Sequence, residues 1–432
     1  MSVKQVFNTS AELDYPKVLP TLDLDFANSK TLDPRITFTR ASGGSYVGAD
    51  GLIKYAGVNE ARFDHDPVTG ESLGLLIEEE RTNSFLYSEQ LDNAAWRKFD
   101  ITATANAGLA PDGTTTAELI TTASTTAQKY FDPNSEPVLQ TSSDYCVSFF
   151  VKLISGTGNA AFASISSANG AISPVYASYA LRLDNFAEST EGNLPSVRGY
   201  TIFPNGWVRM YMVFNTSAQT NAVIQFRFGT NDTVSSYHVW GLQIEKGSFP
   251  TSYIPTEGSS RTRAADVASM TGTNFSSWYN QNEGTLFAAQ RSDTIQDAYQ
   301  TSTFILCSSN PNAHFIGMDV TNDYNRFYVY GGGTADTSNY NYLPVTPGTL
   351  TKNVLAYANN NVAAARNGGT VVTDSSVAIP IYSYDSATGD FEINRATIGH
   401  NLVYGNQKRQ HLSRLTYYPK RLTNQQLQTL TS

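Results

Sequence analysis

Apolar and polar residues alternate with period two along most of this chain. Over 145–153 the residues Tyr145, Val147, Phe149, Val151 and Leu153 share one face. Over 207–214 Val208, Met210, Met212 and Phe214 do so, and Ile224, Phe226 and Phe228 repeat the pattern. Successive side chains of a strand point to opposite faces, so each segment predicts a half-buried strand. His238, Trp240, Leu242 and Ile244 then line one face, with Val239, Gln243 and Glu245 on the other. Pro250 and Pro255 follow; neither can donate to a ladder, so this reads as a last strand and an exit segment. The run Leu73–Ile77 is too short for a globular helix and predicts a buried strand. Period-two segments resume at 284–289, 304–307, 326–330, 354–357 and 413–418.

One helix is expected, at the C-terminus. Thr423 is an N-cap with Gln426 as its capping-box partner, and Leu427 and Leu430 share a face. The fold class is therefore all-β: two antiparallel β-sandwiches, jelly-roll and lectin-like, with a short N-terminal arm and a short C-terminal helix. Residues 1–20 are polar, with Pro16 and Pro20, and predict an extended arm that serves as an anchor. Residues 21–84 hold short strands between turns such as Ala41–Gly44 and Asp50-Gly51, where glycine accepts positive φ. Residues 85–255 predict one jelly roll, 256–283 a linker and 284–432 a second sandwich. Leu22–Phe26 is expected to belong spatially to the C-terminal sandwich, which would make 85–255 an insertion.

Composition narrows the function. The 432 residues carry 16% charged and 12% aromatic side chains, with 25 Tyr and 22 Phe, which favours pleated surfaces over helices. The net charge of −9 comes without any clustered Lys/Arg run, which argues against a nucleic-acid partner. No apolar run is long enough to span a bilayer, and Met1–Ser10 has no apolar signal core. Cys146 and Cys307, the two cysteines, are expected as buried free thiols.

Candidate chemistry is sparse. The chain has no G-x-S-x-G elbow, and Gly331-Gly332-Gly333 lacks the lysine and context of a phosphate loop. Asp64-His65-Asp66 carries ligand types for a metal, but three consecutive strand residues cannot converge on one ion. Glu78, Glu79 and Glu80 place two carboxylates on one face, the usual look of a solvated strand end. No catalytic or metal-binding residue is assigned, and no cofactor. The aromatics remain: Tyr328 and Tyr330 share a strand face, and the loop Asn339, Tyr340, Asn341, Tyr342 alternates amide with ring. That composition suits glycan contact, rings packing on sugar C–H faces and amides pairing with hydroxyls, or an adaptable protein interface. Trp96, Trp207 and Trp240 are expected in the core.

Several segments also resemble a known group. The stretch Val239–Thr256 (VWGLQIEKGSFPTSYIPT) followed by Arg261–Asp266 (RTRAAD) is similar to a signature of tailed-bacteriophage virion proteins with carbohydrate-binding-module-like sandwiches. Leu22–Phe26, Phe38–Ser42, Asp50–Ile53 and Leu75–Asn83 recur in that order in such proteins, and Leu412–Leu422 resembles the end of a laminin-G or concanavalin-A-like domain. The resemblance implies a virion component made in a bacterial host cytoplasm, of tail-fibre, receptor-binding or decoration type. Its expected partners are other capsid or tail proteins and host-surface glycans, with assembly as a homotrimer. A purely structural decoration protein is the alternative. A glycoside hydrolase is the enzyme to weigh, but the nearest match to the ExDxxE strand of concanavalin-A-like hydrolases, Glu12–Lys17, fails at its third acidic position. A structural Ca²⁺ is common in jelly rolls of this kind; no loop of the sequence identifies one.

Overall fold

A computed structural model describes residues 16–432, apart from 125–126, 157–160, 167–176, 190–192, 219–221, 230–233, 293–300, 309–313, 322–323, 332–339, 345, 347, 378, 380–392 and 401–407; side chains at 161–166, 189, 301, 314, 321, 324–325, 330–331 and 340–344 are not described. The chain is all-β, built as two sandwiches, one inserted into the other.

The outer sandwich draws on both ends of the sequence. Its eight-stranded sheet runs Val372–Asp374, Val362–Arg366, Leu350–Ala358, Glu283–Ser292, Gln410–Tyr418, Ser72–Ile77, Arg62–His65, with Leu22–Asp25 also on Gln410–Tyr418. Leu22 lies opposite Tyr417, and His411 opposite Leu76. The facing seven-stranded sheet begins Thr37–Thr39, Val267–Thr271, Arg395–Ile398, Thr301–Cys307 and ends at Tyr340–Pro344. One core fills the space between them: Leu22, Leu24, Phe38, Leu75 and Ile77 from early strands pack with Phe304, Met318, Leu355 and Leu415 from late ones.

The inserted sandwich has two six-stranded sheets. One runs Arg198–Ile202, Val208–Asn215, Asp144–Ser155, Ser236–Lys246, Ala117–Thr122, Ile101–Gly108; the other ends Val223–Phe228, Tyr130–Pro133, Trp96–Phe99. The alternating residues read from the sequence are its core, with Phe149, Met210, Phe226 and Ile244 buried together. Trp96, Trp207 and Trp240 are buried, and both cysteines are buried and free.

Residues 256–283, expected as a linker, carry two strands instead. Arg261–Arg263 pairs with Arg81–Asn83, so the chain is zipped to itself where it enters and leaves the insertion. Val267–Thr271 then joins the seven-stranded sheet. The terminal helix spans Asn424–Thr431 with both capping-box hydrogen bonds in place, and Leu427 is fully buried. Two four-residue helical turns, Phe26–Ser29 and Thr273–Ser276, carry no long-period signal and were not expected. Among the described residues, no helix is long and apolar enough to cross a membrane.

Candidate functional site

The two sandwiches meet at a seam built from charge. Arg62 comes from the edge strand Arg62–His65, Glu78 from the end of Ser72–Ile77, and Arg263 and Asp266 from the returning chain. Arg62 Nη1 donates to Glu78 Oε2 at 2.6 Å, to the Ser45 carbonyl at 2.9 Å and to Ser252 Oγ at 2.8 Å, while its Nη2 donates to Asp266. Arg40 Nη1 donates to Asp266 Oδ1 at 3.0 Å, and Arg263 Nη1 lies 3.1 Å from Glu78 Oε2. Ser252, which follows the last strand of the inserted sandwich, donates its N–H to Glu78 Oε1 at 2.8 Å and its hydroxyl to Oε2 at 2.6 Å. Three guanidinium groups thus share two carboxylates with essentially no solvent contact. Burial works against the Glu78 carboxylate, yet the Arg263 and Arg62 charges outweigh it and hold its carboxyl well below the usual range. Glu245 adds a third carboxylate, accepting from Thr251 N at 2.8 Å and Thr251 Oγ1 at 2.6 Å. Asn83 ties the strands further, donating to the carbonyls of Leu242 and Ile254 at 2.9 Å.

One reading from the sequence changes here. Glu78 is buried and ion-paired where a solvated strand end was expected; of the acidic triplet only Glu80 is exposed. Asp64, His65 and Asp66 do not converge. Asp64 accepts from Val47 N at 2.6 Å and pairs with His411 Nε2 at 2.8 Å, whereas Asp66 caps its own turn through Val68 N and Thr69 N. Among the described residues no group of three or more His, Cys, Asp or Glu is placed to hold a metal ion.

Beside the seam lies an open groove of about 980 Å³. Its wall is the hairpin Gly44–Val47/Ile53–Ala56, in which Tyr46 faces Lys54 and Ser45 faces Tyr55. Gly51 turns the hairpin at φ 73°, and a Cβ there would fall 2.4 Å from Pro204 of the inserted sandwich. The groove is lined by Tyr46, Tyr55 and Phe63 with Lys30, Lys54 and Glu60 at its polar margin. Tyr55 is 47% exposed. Asp50 pairs with Lys54 at 2.8 Å, and Glu60 accepts from Gly57 N at 2.6 Å. His65 lines both this groove and an adjoining cavity of about 110 Å³ under Arg409, Tyr211 and Phe203. It is 5% exposed; its Nδ1 pairs with the Val47 carbonyl at 3.0 Å and its Nε2 has no hydrogen-bond partner among the described residues. The carbonyl assigns the proton to Nδ1, which leaves Nε2 of the neutral ring as an acceptor.

The described residues nominated from the sequence lie elsewhere. Tyr328 is 3% exposed, meets Phe315 edge-on at 4.9 Å and lies 5.1 Å from the Arg326 guanidinium, so it offers no open ring face. Tyr340, Asn341 and Tyr342 sit on the edge strand Tyr340–Pro344 rather than in a loop, because Phe327 takes Tyr340 and Arg326 takes Asn341 as ladder partners. The side chains of Tyr330, Tyr340, Asn341 and Tyr342, and Asn339 altogether, lie outside the described residues. The groove was missed because Tyr46 and Tyr55 lie in four-residue strands whose only local signal is the Asp50-Gly51 turn.

No protein-family model matches the sequence, and no curated protein matches it. Among solved structures, the NanB sialidase of Streptococcus pneumoniae is similar over 38% of this chain at 12% identity and a TM-score of 0.31; the matched part is 26% of that sialidase. The CBM40 of Ruminococcus gnavus IT-sialidase, solved with α2,3-sialyllactose, is similar over 37% of this chain and 88% of its own at 15% identity and a TM-score of 0.30. Trypanosoma rangeli sialidase is similar over 73% of this chain and 60% of its own at 11% identity and a TM-score of 0.29. Likeness at this level says nothing of the ligand.

Proposed function

We propose that this protein is a non-catalytic glycan-binding component of a virion, and that the groove at the sandwich seam takes the sugar. One observation carries the binding reading: an aromatic-lined groove whose wall holds His65, a buried ring with an acceptor nitrogen that nothing among the described residues satisfies. Buried polar atoms without partners are rare, and a sugar hydroxyl is a donor of the right kind. Tyr46, Tyr55 and Phe63 supply ring surface for sugar C–H faces, and Lys30 and Lys54 supply donors. The carboxylates nearby support binding over hydrolysis, which needs two acids facing one bond. Asp50 is engaged by Lys54, Glu60 by a backbone N–H, and Asp64 by Val47 and His411. The virion setting rests on the signature residues, and the seam gives them a shared role: Glu78, Glu245, Ser252, Arg263 and Asp266 all fall within it.

Binding of the purified protein to a glycan array and to host envelope polysaccharide tests this. Tyr55→Ala and His65→Phe are each expected to weaken binding about tenfold, a loss of about 1.4 kcal/mol. Tyr340→Ala with Tyr342→Ala should leave it unchanged. Absence of binding by a multivalent preparation, or binding indifferent to the groove variants, overturns the assignment.

A further inference from the structure

The cavity of about 110 Å³ shares Tyr46 and His65 with the groove, so the two adjoin along those side chains. Pockets that take a whole ligand begin at about 300 Å³, so this one has room for part of a ligand. It is several times the roughly 30 Å³ that one water occupies in the liquid, enough for a substituent of a few heavy atoms. Part of its wall is apolar. Ile53, Phe150 and Phe203 line it, all buried, and Phe150 meets Phe203 edge-on at 5.2 Å.

Most of the polar wall is engaged within the protein. Ser45 Oγ donates to the Tyr253 carbonyl at 2.6 Å, and Ser252 Oγ donates to Glu78. Asp64 is held by Val47 N and His411, and Arg409 Nη1 donates to the Pro250 carbonyl at 3.1 Å. Arg209, 8% exposed, donates Nη1 to the Thr251 carbonyl at 2.8 Å and Nη2 to Ser148 Oγ at 2.9 Å, its guanidinium 5.3 Å from the Phe150 ring. His65 Nε2 and Arg209 Nε are buried without a hydrogen-bond partner among the described residues. The first accepts, because Nδ1 carries the proton, and the second can only donate. The charges of Arg209 and Arg409 are set against Asp64, Glu78 and Glu245, carboxylates that Arg62, Arg81 and Arg263 also face. The cavity therefore presents one acceptor, one donor and an apolar surface.

We propose that it receives the acetamido group of a 2-acetamido sugar bound in the groove, an inference that rests on the groove reading and narrows its ligand class. The acetamido N–H donates to His65 Nε2, its carbonyl accepts from Arg209 Nε, and its methyl packs against Ile53, Phe150 and Phe203. Other substituents meet this wall only in part. A hydroxymethyl group donates and accepts but brings no methyl. A carboxylate has no donor for His65, and an ammonium has no acceptor for Arg209. A site that pairs both atoms discriminates strongly, because an analogue that leaves them unpaired incurs their desolvation.

The test titrates the full-length protein with two matched pairs of oligosaccharides, N-acetylglucosamine with glucose and N-acetylgalactosamine with galactose, and with a glucuronate oligosaccharide. Wild type is compared with Arg209→Met, which removes the donor. A second variant, Thr201→Leu, adds bulk at an exposed lining residue of the edge strand Arg198–Ile202 and decides the matter if Arg209→Met lowers the melting temperature. At least tenfold preference for the acetamido member of one pair is expected, lost in both variants, whereas Tyr55→Ala weakens both members of that pair alike. Equal affinity within both pairs, or binding of neither pair by a protein that binds other glycans, overturns the inference and leaves the groove reading standing. So does a preference for the glucuronate, or an acetamido preference that survives Thr201→Leu. Failure to bind any glycan overturns the groove reading and this inference together.

Discussion

Glu78 shows how a single side chain acquires opposite signs of energy from its surroundings. Alone in the interior a carboxylate is costly; between Arg62 and Arg263 it is held ionised. Glu89, Glu118 and Glu136 have no such ion pair among the described residues. Burial lifts Glu89 to about 6, Glu118 to about 7 and Glu136 to about 8; the Asp92 and Asp132 charges add to the rise at Glu118 and Glu136, whereas the Tyr253 hydroxyl opposes it at Glu89. The two groups pull stability in opposite directions with pH. A carboxyl whose folded pKa is raised binds more protons folded than unfolded, so stability increases as pH falls from about 8 toward the unfolded value near 4.5. A carboxyl whose folded pKa is depressed contributes fully above that value and loses its contribution as pH falls below it. The melting temperature should therefore rise on mild acidification, peak at about pH 5–6, and drop below about pH 4.5. A melting temperature that declines steadily from pH 8 downward would show that the raised glutamates are not desolvated as described.

At the scale of elements, what the sequence shows is what local physics decides. Alternation marked Tyr145–Leu153 and Val208–Phe214, and the marked residues fill the core. The half-burial it predicts does not hold, since Cys146, Ser148, Phe150, Arg209 and Val213 are buried too, with Phe150 packed against Trp207, Trp240 and Tyr253 on the other face. The terminal helix was readable because a capping box is local: Thr423 Oγ1 accepts from Gln426 N at 3.3 Å, and Gln426 Oε1 accepts from Thr423 N at 2.9 Å. Thr423→Ala removes one satisfied donor and is expected to cost about 1 kcal/mol in denaturant unfolding. Thr423→Ser should restore most of it, since Ser caps as well. Elements set by distant partners were not readable. Nothing within ten residues of Glu78 reveals Asp266, 188 positions away, whose carboxylate accepts from the Glu78 N–H. Tyr328 misled for a related reason: alternation assigns a residue to a sheet face but not what covers that face.

At the scale of the whole molecule, the seam makes two sandwiches one structure. The first strands Leu22–Asp25 and Ser72–Ile77 pair with Gln410–Tyr418, so the outer sandwich cannot close until the insertion has brought its ends together. The ribbon Arg81–Asn83/Arg261–Arg263 fixes those ends, and the ionic cluster then joins Ser45, Arg62 and Glu78 of the outer sandwich to Ser252 leaving the inner one. A buried pair is weak evidence of net stability, but removing one partner strands the others in a medium that cannot solvate them. Glu78→Gln leaves Arg62 and Arg263 with Asp266 as the nearest remaining anion and turns one of the two oxygens that accept from Ser252 into an NH2 donor. The expected loss is about 3–5 kcal/mol, concentrated in the outer sandwich and the seam. The inserted sandwich, with its own core of Phe149, Met210 and Phe226, should be little affected. Calorimetry should therefore show one transition for the wild type and two for Glu78→Gln, the later one matching an isolated 85–255 fragment. A single transition in the variant, merely shifted down, would mean that the ribbon and hairpin hold the sandwiches together without the charges.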